Sequence, residues 1–375
     1  MIAAGSGFDG PRLEGPRYDG NSLVNLVAEL ESRLTGQAPF PALDPAPSAA
    51  IPARATYVLM VFDGLGSHQL SHPAARDLAR AQVGSIDALF PSTTTVSLSS
   101  IASGLPPAQH GVIGHHMWVP DLGRVVNVLK WILPGGAPVS FDTESLLPAP
   151  NLWERLTAHG IEAITVQPGA FEFSPLSKAL YRGCRIEPAW TEDDLAAVTI
   201  DLAQQPGRLI FTYVPHVDVA AHLYGQSSDH YANALRQVTS VWERIAHHLP
   251  DHAVLVGTAD HGHADYQTHD KYPIESRAAE GLTFFGDPRS LYVRGAPERA
   301  EALAATLPAR WLPLDEIRAW WGPGPAHAEL AARSPAGVLL ADRGNILLPP
   351  NMDARLVGYH GGLEPDELSI PLLVH

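Results

Sequence analysis

The chain has 375 residues, 45% of them hydrophobic and 17% charged, with a formal net charge of −15; it has ample material for a buried core and is neither a disordered nor a collagen-like polymer. The acidic balance excludes a nucleic-acid polymer and an anionic membrane as partners, while a small phosphorylated substrate stays open, because divalent ions overturn such a field inside one cleft. One cysteine, Cys184, excludes an intramolecular disulfide and a cysteine-rich zinc site, so any metal must use carboxylates and the imidazoles of 18 histidines. Residues 1–20 are rich in Gly and Pro, with no charged segment leading into an apolar one, and no run approaches the ~20 apolar residues of a membrane span. A cytoplasmic protein is expected.

Asn21 or Ser22 can cap an amphipathic surface helix that uses Leu23, Leu26, Val27, Leu30 and Leu34. Gln37–Ala53 is Pro/Ala-rich and reads as a structureless linker. Residues 1–53 are therefore taken as an N-terminal helix and linker, and 54–375 as the main domain. Its first element is the apolar run Tyr57–Phe62, which stops at Asp63-Gly64-Leu65-Gly66 as a strand buried on both faces would. A helix-like stretch, Ser67–Arg80, follows. Similar runs recur at Ala163–Val166, Leu209–Val214, Ala253–Val256 and Ile370–Val374, separated by helical patterns at Leu152–His159, Glu192–Gln204 and His230–His248. This alternation predicts an α/β fold with a mostly parallel central sheet and helices on both faces. Between about 275 and 351 the texture changes to short strands at Leu282–Phe285, Ser290–Val293, Gly337–Leu340 and Asn345–Leu348, with a helix at Pro297–Leu307. We read a small inserted α+β subdomain there, packed in part by Trp320 and Trp321.

Ligands of open parallel sheets bind beyond the carboxyl ends of the strands. Asp63 ends the first strand; PHVDVAAH after Leu209–Val214 presents Asp218 and His222; GTADHGHAD after Ala253–Val256 presents Asp260 and His261; His360 stands in GYHGG before the last strand. Asp218 and His222 lie four apart, on one helix face, with Cβ atoms about 5–6 Å apart. Carboxylates mixed with imidazoles suit zinc, and a second set of like chemistry suggests two ions, which could clamp both oxygens of an in-line displacement at phosphorus. The hydroxyl-rich turn Phe90-Pro91-Ser92-Thr93-Thr94-Thr95-Val96-Ser97 offers a nucleophile that a divalent cation could activate. The residues alone do not choose among its threonines.

The motifs VFDGLG, FPSTTTVSLSSIASGLPPAQHGVIG, YVPHVDVAAHLYG, TADHGH and GYHGGLEPDELSIPLLV occur in this order from Tyr57 to the C-terminus. In this the chain resembles the type I phosphodiesterase/nucleotide pyrophosphatase family of the alkaline phosphatase superfamily. The resemblance implies an alkaline-phosphatase-like catalytic domain and a metal-dependent hydrolase that cleaves phosphodiester or pyrophosphate bonds of a small, nucleotide-like molecule. It implies that Asp63, Thr94, Asp260 and His261 hold one ion and Asp218, His222 and His360 the other, both zinc by preference with manganese tolerated. It selects Thr94 as nucleophile, four residues after Phe90. It further implies a substrate-binding role for Ser97, where the family often has Asn, and an accessory substrate or supporting role for His263, where Met is frequent.

Phosphomonoesterase, phosphonate hydrolase and phosphomutase of the same superfamily are the alternative activities, and a metal-binding protein without turnover is the non-enzymatic one. A sulfatase needs a modified Cys or Ser followed by Pro and Arg, a pattern absent around Cys184. A monoesterase would need a cation for the extra phosphate charge, for which Lys130, Lys271 and Arg289 are candidates. His110, His115, His116, His247 and His248 carry no motif and are read as structural or exposed.

Overall fold

The computed structural model describes residues 14–140, 142–350, 352 and 354–375; the first thirteen residues of the expected N-terminal segment, and Asn351 at the expected subdomain boundary, lie outside them. A seven-stranded sheet forms the centre, in the spatial order Gln82–Asp87, Ser369–Val374, Ala253–Ala259, Thr56–Phe62, Arg208–Val214, Glu162–Pro168, Arg185–Ala189. The last five are mutually parallel, whereas Ser369–Val374 runs antiparallel to both of its neighbours. Every residue of Thr56–Phe62 and Ala253–Ala259 is buried, which is why these strands read as unbroken apolar runs. Gln82–Asp87 escapes that pattern because it is an edge strand, exposed over half its length and interrupted by Gly84. The stretch 67–80 is a series of short turns, Ser67–Ser71, Pro73–Ala75 and Arg76–Ala79, because Pro73 cannot continue a helix.

The expected surface helix exists as Leu23–Thr35, but it is not on the surface: Leu23 through Glu31 are all buried. Two features make this tolerable. Glu31 is held by Arg155 at 2.6 and 2.8 Å, and Glu29 accepts from Ser48 Oγ at 2.7 Å and pairs with Arg33. The segment expected as a linker covers the helix, with Phe40, Leu43 and Ile51 buried, Pro45–Ala49 helical, and the Pro41 carbonyl accepting from Asn25 Nδ2 at 2.9 Å. Proline lowers the cost of ordering such a cover, because its backbone has little freedom to lose.

A second, six-stranded sheet has the order Ala309–Pro313, Gly337–Ala341, Ser290–Arg294, Thr283–Asp287, His116–Val119, Arg124–Asn127. Its last two strands come from outside residues 275–351, so this sheet is assembled from two separated parts of the chain. Trp321 donates from Nε1 to Tyr292 Oη within it at 2.8 Å, whereas Trp320 packs edge-on against Phe90 of the main core, 5.0 Å between centroids.

Two buried contacts tie this sheet to the loop that carries His360. Arg289 donates to Glu367 at 3.1 Å, and Glu367 also accepts from the Gly362 amide at 3.0 Å; both side chains are buried. Asp287 accepts from the His115 amide at 3.3 Å and lies against Gly361, which has φ +113° and where a Cβ would stand 2.5 Å from that of Asp287. Burial pushes the Asp287 carboxyl up to about 7, against the opposing His115 amide and Thr93 hydroxyl.

Removing one partner of a buried pair leaves the other charge uncompensated. Glu367→Ala should therefore cost about 3–5 kcal/mol in chemical denaturation, whereas exposed Arg80→Ala should stay within about 0.5 kcal/mol. For Asp287 the folded state favours the protonated form, so its contribution is fully present below about pH 4 and is lost as the pH rises to about 7. Asp287→Asn should match the parent in Tm near pH 4 and exceed it at pH 8; a Tm difference that does not change with pH would contradict this.

Candidate functional site

Phe62 is in register with Val214 on one side and Ala259 on the other, so the chain leaves three adjacent parallel strands at one level. Backbone bonds stitch these exits together. The Asp218 amide donates to the Asp63 carbonyl at 3.0 Å, and the Gly64 amide donates to Asp260 Oδ1 at 3.0 Å. Gly64 has φ +72°, and a Cβ there would lie 2.9 Å from that of Asp218, so only glycine allows this approach. Asp218 sits in the first turn of helix His216–Tyr224 with His222 one turn on. The short pairing of Gly358–Tyr359 with Ala264–Asp265 brings His360 beside His263.

Two groups of donor atoms result, each within 4.8 Å of one another: Asp218, His222, His263 and His360, and Asp63, Asp218 and His261. Asp218 Oδ1 lies 3.3 Å from His222 Nε2, 3.3 Å from His263 Nε2 and 3.9 Å from His360 Nε2. His261 Nε2 lies 3.4 Å from Asp63 Oδ1 and 3.5 Å from Asp260 Oδ2. The Nδ1 atoms of His222, His261 and His360 face the carbonyls of Gly358, Gly262 and Ser92 at 2.8–2.9 Å. A carbonyl can only accept, so each Nδ1 carries the proton and each Nε2 turns its lone pair inward.

Thr94 opens helix Thr94–Ser103, all of whose residues are buried. Its Oγ1 is 3.1 Å from His261 Nε2 and 3.4 Å from Asp63 Oδ1. Thr95 instead donates to the Gly114 carbonyl at 3.0 Å, and Thr93 is buried beside Asp287. The fully buried hydroxyl of Ser97 donates to the Asp260 carbonyl at 2.7 Å and holds that loop. His263 stands inside a donor group rather than beside one, and neither of its ring nitrogens has a hydrogen-bond partner.

Residues without a motif also take part. Tyr213 donates to Asp63 Oδ2; a tyrosine in an otherwise apolar strand end needs such a partner, and that was the available signal. His115 lines the cleft beside Thr94, and burial together with the His116 and His222 rings depresses it to about 3. Lys130 is the one Lys or Arg among the described residues lining the cavity of about 380 Å³ next to Thr94. Arg289 is committed to Glu367 and to the Asp342 carbonyl, and Lys271 to the carbonyls of Ala354 and Leu356.

This donor set suits cations. Burial pushes Asp63 well above the usual carboxylate range, with Asp260 and Asp218 adding to the effect. Burial pushes Asp218 in the same direction, but the His222, His263 and His360 rings outweigh it and hold its carboxyl low. Burial depresses His263 to about 4 and takes His360 well below its ordinary value. Asp218 Oδ1, Asp260 Oδ2 and both His263 nitrogens are buried without hydrogen-bond partners. Imidazole Nε2 atoms turned inward among crowded carboxylates form the mixed N/O donor set that a divalent ion takes.

The profile of the family described as type I phosphodiesterase / nucleotide pyrophosphatase matches residues 57–309. No curated protein matches the chain by sequence. Among solved structures, murine ectonucleotide pyrophosphatase/phosphodiesterase 5 superposes with a TM-score of 0.67 at 20% identity, over 85% of this chain and 87% of its own. The human protein of that name gives 0.65 at 15% identity, over 85% and 87%. Phosphonoacetate hydrolase from Sinorhizobium meliloti 1021 gives 0.64 at 16% identity, over 86% and 91%. These likenesses establish an alkaline-phosphatase-like fold, and among the described residues no helix is long and apolar enough to cross a membrane. With the profile spanning all three strand exits that carry the acidic cluster, the chain belongs to the type I phosphodiesterase/nucleotide pyrophosphatase family.

Proposed function

We propose that the protein hydrolyses phosphodiester or pyrophosphate bonds of a small nucleotide-like molecule, with Thr94 as nucleophile. The observation that carries this is the position of Thr94 Oγ1 at a helix N-terminus, 3.1 Å from His261 Nε2 and 3.4 Å from Asp63 Oδ1, in a residue that lines a largely apolar cavity. Asp63, Thr94, Asp260 and His261 would hold one ion; Asp218, His222 and His360, joined by His263, would hold the other. Zinc fits this mixed donor set, and manganese would tolerate it. Bound divalent ions would lower the pKa of the Thr94 hydroxyl and offset charge on the phosphoryl oxygens.

The chain supplies orientation. Helix Thr94–Ser103 aims the hydroxyl, and its N-terminus favours a phosphoryl oxygen. Attack forms a bond from Thr94 Oγ1 to phosphorus and breaks the bond to the leaving oxygen, which departs protonated; water then cleaves the ester on Thr94 and restores the hydroxyl. Leu129, Phe171, Leu180, Tyr181 and Tyr213 line the adjacent cavity and suit a flat nucleobase. An inactive threonine-to-alanine variant of the murine neighbour holds AMP, which supports both assignments. A phosphonate substrate with a second acidic group, as for the Sinorhizobium neighbour, would call for more cations than Lys130, which favours the diester reading.

Hydrolysis of bis(p-nitrophenyl) phosphate with a higher kcat/KM than p-nitrophenyl phosphate is the expected result, and the reverse order would make the protein a monoesterase. Thr94→Ala should keep its metal and fold yet lose at least about a thousandfold in kcat, Thr94→Ser should keep a measurable part, and Thr93→Ala or Thr95→Ala should cost far less. Full activity in Thr94→Ala would remove the covalent mechanism.

Elemental analysis should find about two divalent ions per chain, more than four-coordinate binding to a single ion can account for. Asp218→Ala, which alters both donor groups, should lower that content more than His263→Ala, which alters one.

A further inference from the structure

Three cavities run in series past the candidate site. The cavity next to Thr94 shares His115, His222 and His360 with a second, of about 240 Å³. The second shares His116, Gly286 and Met352 with a groove of about 540 Å³ on the second sheet. Thr94 and Asp63 line only the first of these.

In-line displacement puts the departing oxygen on the far side of phosphorus from Thr94 Oγ1. With the donor group of Asp218, His222 and His360 clamping the leaving oxygen, as the proposed function has it, that is the side of His222 and His360, which also line the second cavity, so a substituent on that oxygen would enter it and then the groove. Val125, Ile132, Leu133, Phe284 and Phe285 give the groove apolar walls. Neither space is lined by Lys or Arg among the described residues, and the second is lined by the Asp287 carboxyl. A pyrophosphate leaving group would meet a carboxyl and no fixed cation there, whereas an alkyl or aryl chain would leave water for an apolar wall.

Building on the proposed function, we infer that the substrate is a phosphodiester whose leaving group is an extended, uncharged, apolar alcohol, and not a nucleoside polyphosphate. The bond from Thr94 Oγ1 to phosphorus forms as the bond from phosphorus to the alkyl oxygen breaks. The proton lost from Thr94 is balanced by the one that the departing alkoxide takes from solvent.

The test compares the methyl and octyl esters of adenosine 5′-phosphate, whose leaving oxygens are chemically alike, and ATP. On the metal-loaded enzyme the octyl ester should exceed the methyl ester in kcat/KM by at least about tenfold, and ATP should be slower than either. Val125→Glu, which puts a charge on the groove wall, should bring the octyl-to-methyl ratio toward one, and Phe284→Glu reads the same wall should the first variant not fold. An octyl-to-methyl ratio near one in the parent, or ATP turned over as fast as the octyl ester, would overturn the inference while leaving the diesterase reading intact. No turnover of any diester, including bis(p-nitrophenyl) phosphate, would overturn both.

Discussion

Three carboxylates, Asp63, Asp218 and Asp260, are crowded where adjacent parallel strands end, with Asp63 and Asp260 buried, and their mutual repulsion is the constraint that the surrounding structure answers. In a low-dielectric interior such crowding is costly unless donors or cations neutralise it. The chain provides the donors within reach: backbone amides of Gly64 and His261 to Asp260, and the Tyr213 hydroxyl to Asp63. Four imidazoles, three of them fixed from outside through Nδ1, take up much of the remaining space. What is left is an inward-facing excess of lone pairs, which is the property of a cation site rather than of an ordinary core.

The same constraint explains why distant parts of the chain converge. His360 is set by the Ser92 carbonyl, and its loop is held by Ser92 Oγ at the Gly361 amide and by Glu367 at the Gly362 amide. Glu367 in turn is anchored to Arg289 at the start of a second-sheet strand. The second sheet therefore does more than enlarge the molecule, because it fixes one wall of the cluster through a buried ion pair.

Much of this was legible in the sequence for an identifiable reason. Strands buried on both faces read as apolar runs, and residues just past their ends are exposed to whatever the sheet binds, so Asp63, Asp218, Asp260 and His261 stood out. Where a different signal was needed, the reading failed. The edge strand Gln82–Asp87 carries no apolar run, and the hairpin at 116–127 is too short to mark itself as part of a distant sheet. The helix Leu23–Thr35 looked amphipathic because Glu29 and Glu31 count as polar, yet both are buried against Arg33 and Arg155. Ser97 and Arg289 had suitable chemistry for phosphate, but hydrogen-bond partners far along the chain engage them, and sequence spacing carries no trace of such partners.

Helix Thr94–Ser103 is unusual in having almost no large side chains while being buried throughout. Ser99 and Ser103 return their hydroxyls to the carbonyls of Thr95 and Ser99, at 2.6 and 2.7 Å, and so need no partner outside the helix, while Thr95 and Ser97 tie it to the Gly114 and Asp260 carbonyls. Short side chains have few rotamers, and fixing them costs less conformational entropy than fixing Leu or Met at the same positions. The segment bearing Thr94 thus has little freedom left to surrender, and with Thr94 as the proposed nucleophile the binding energy of a ligand would go into the reacting geometry rather than into ordering the helix.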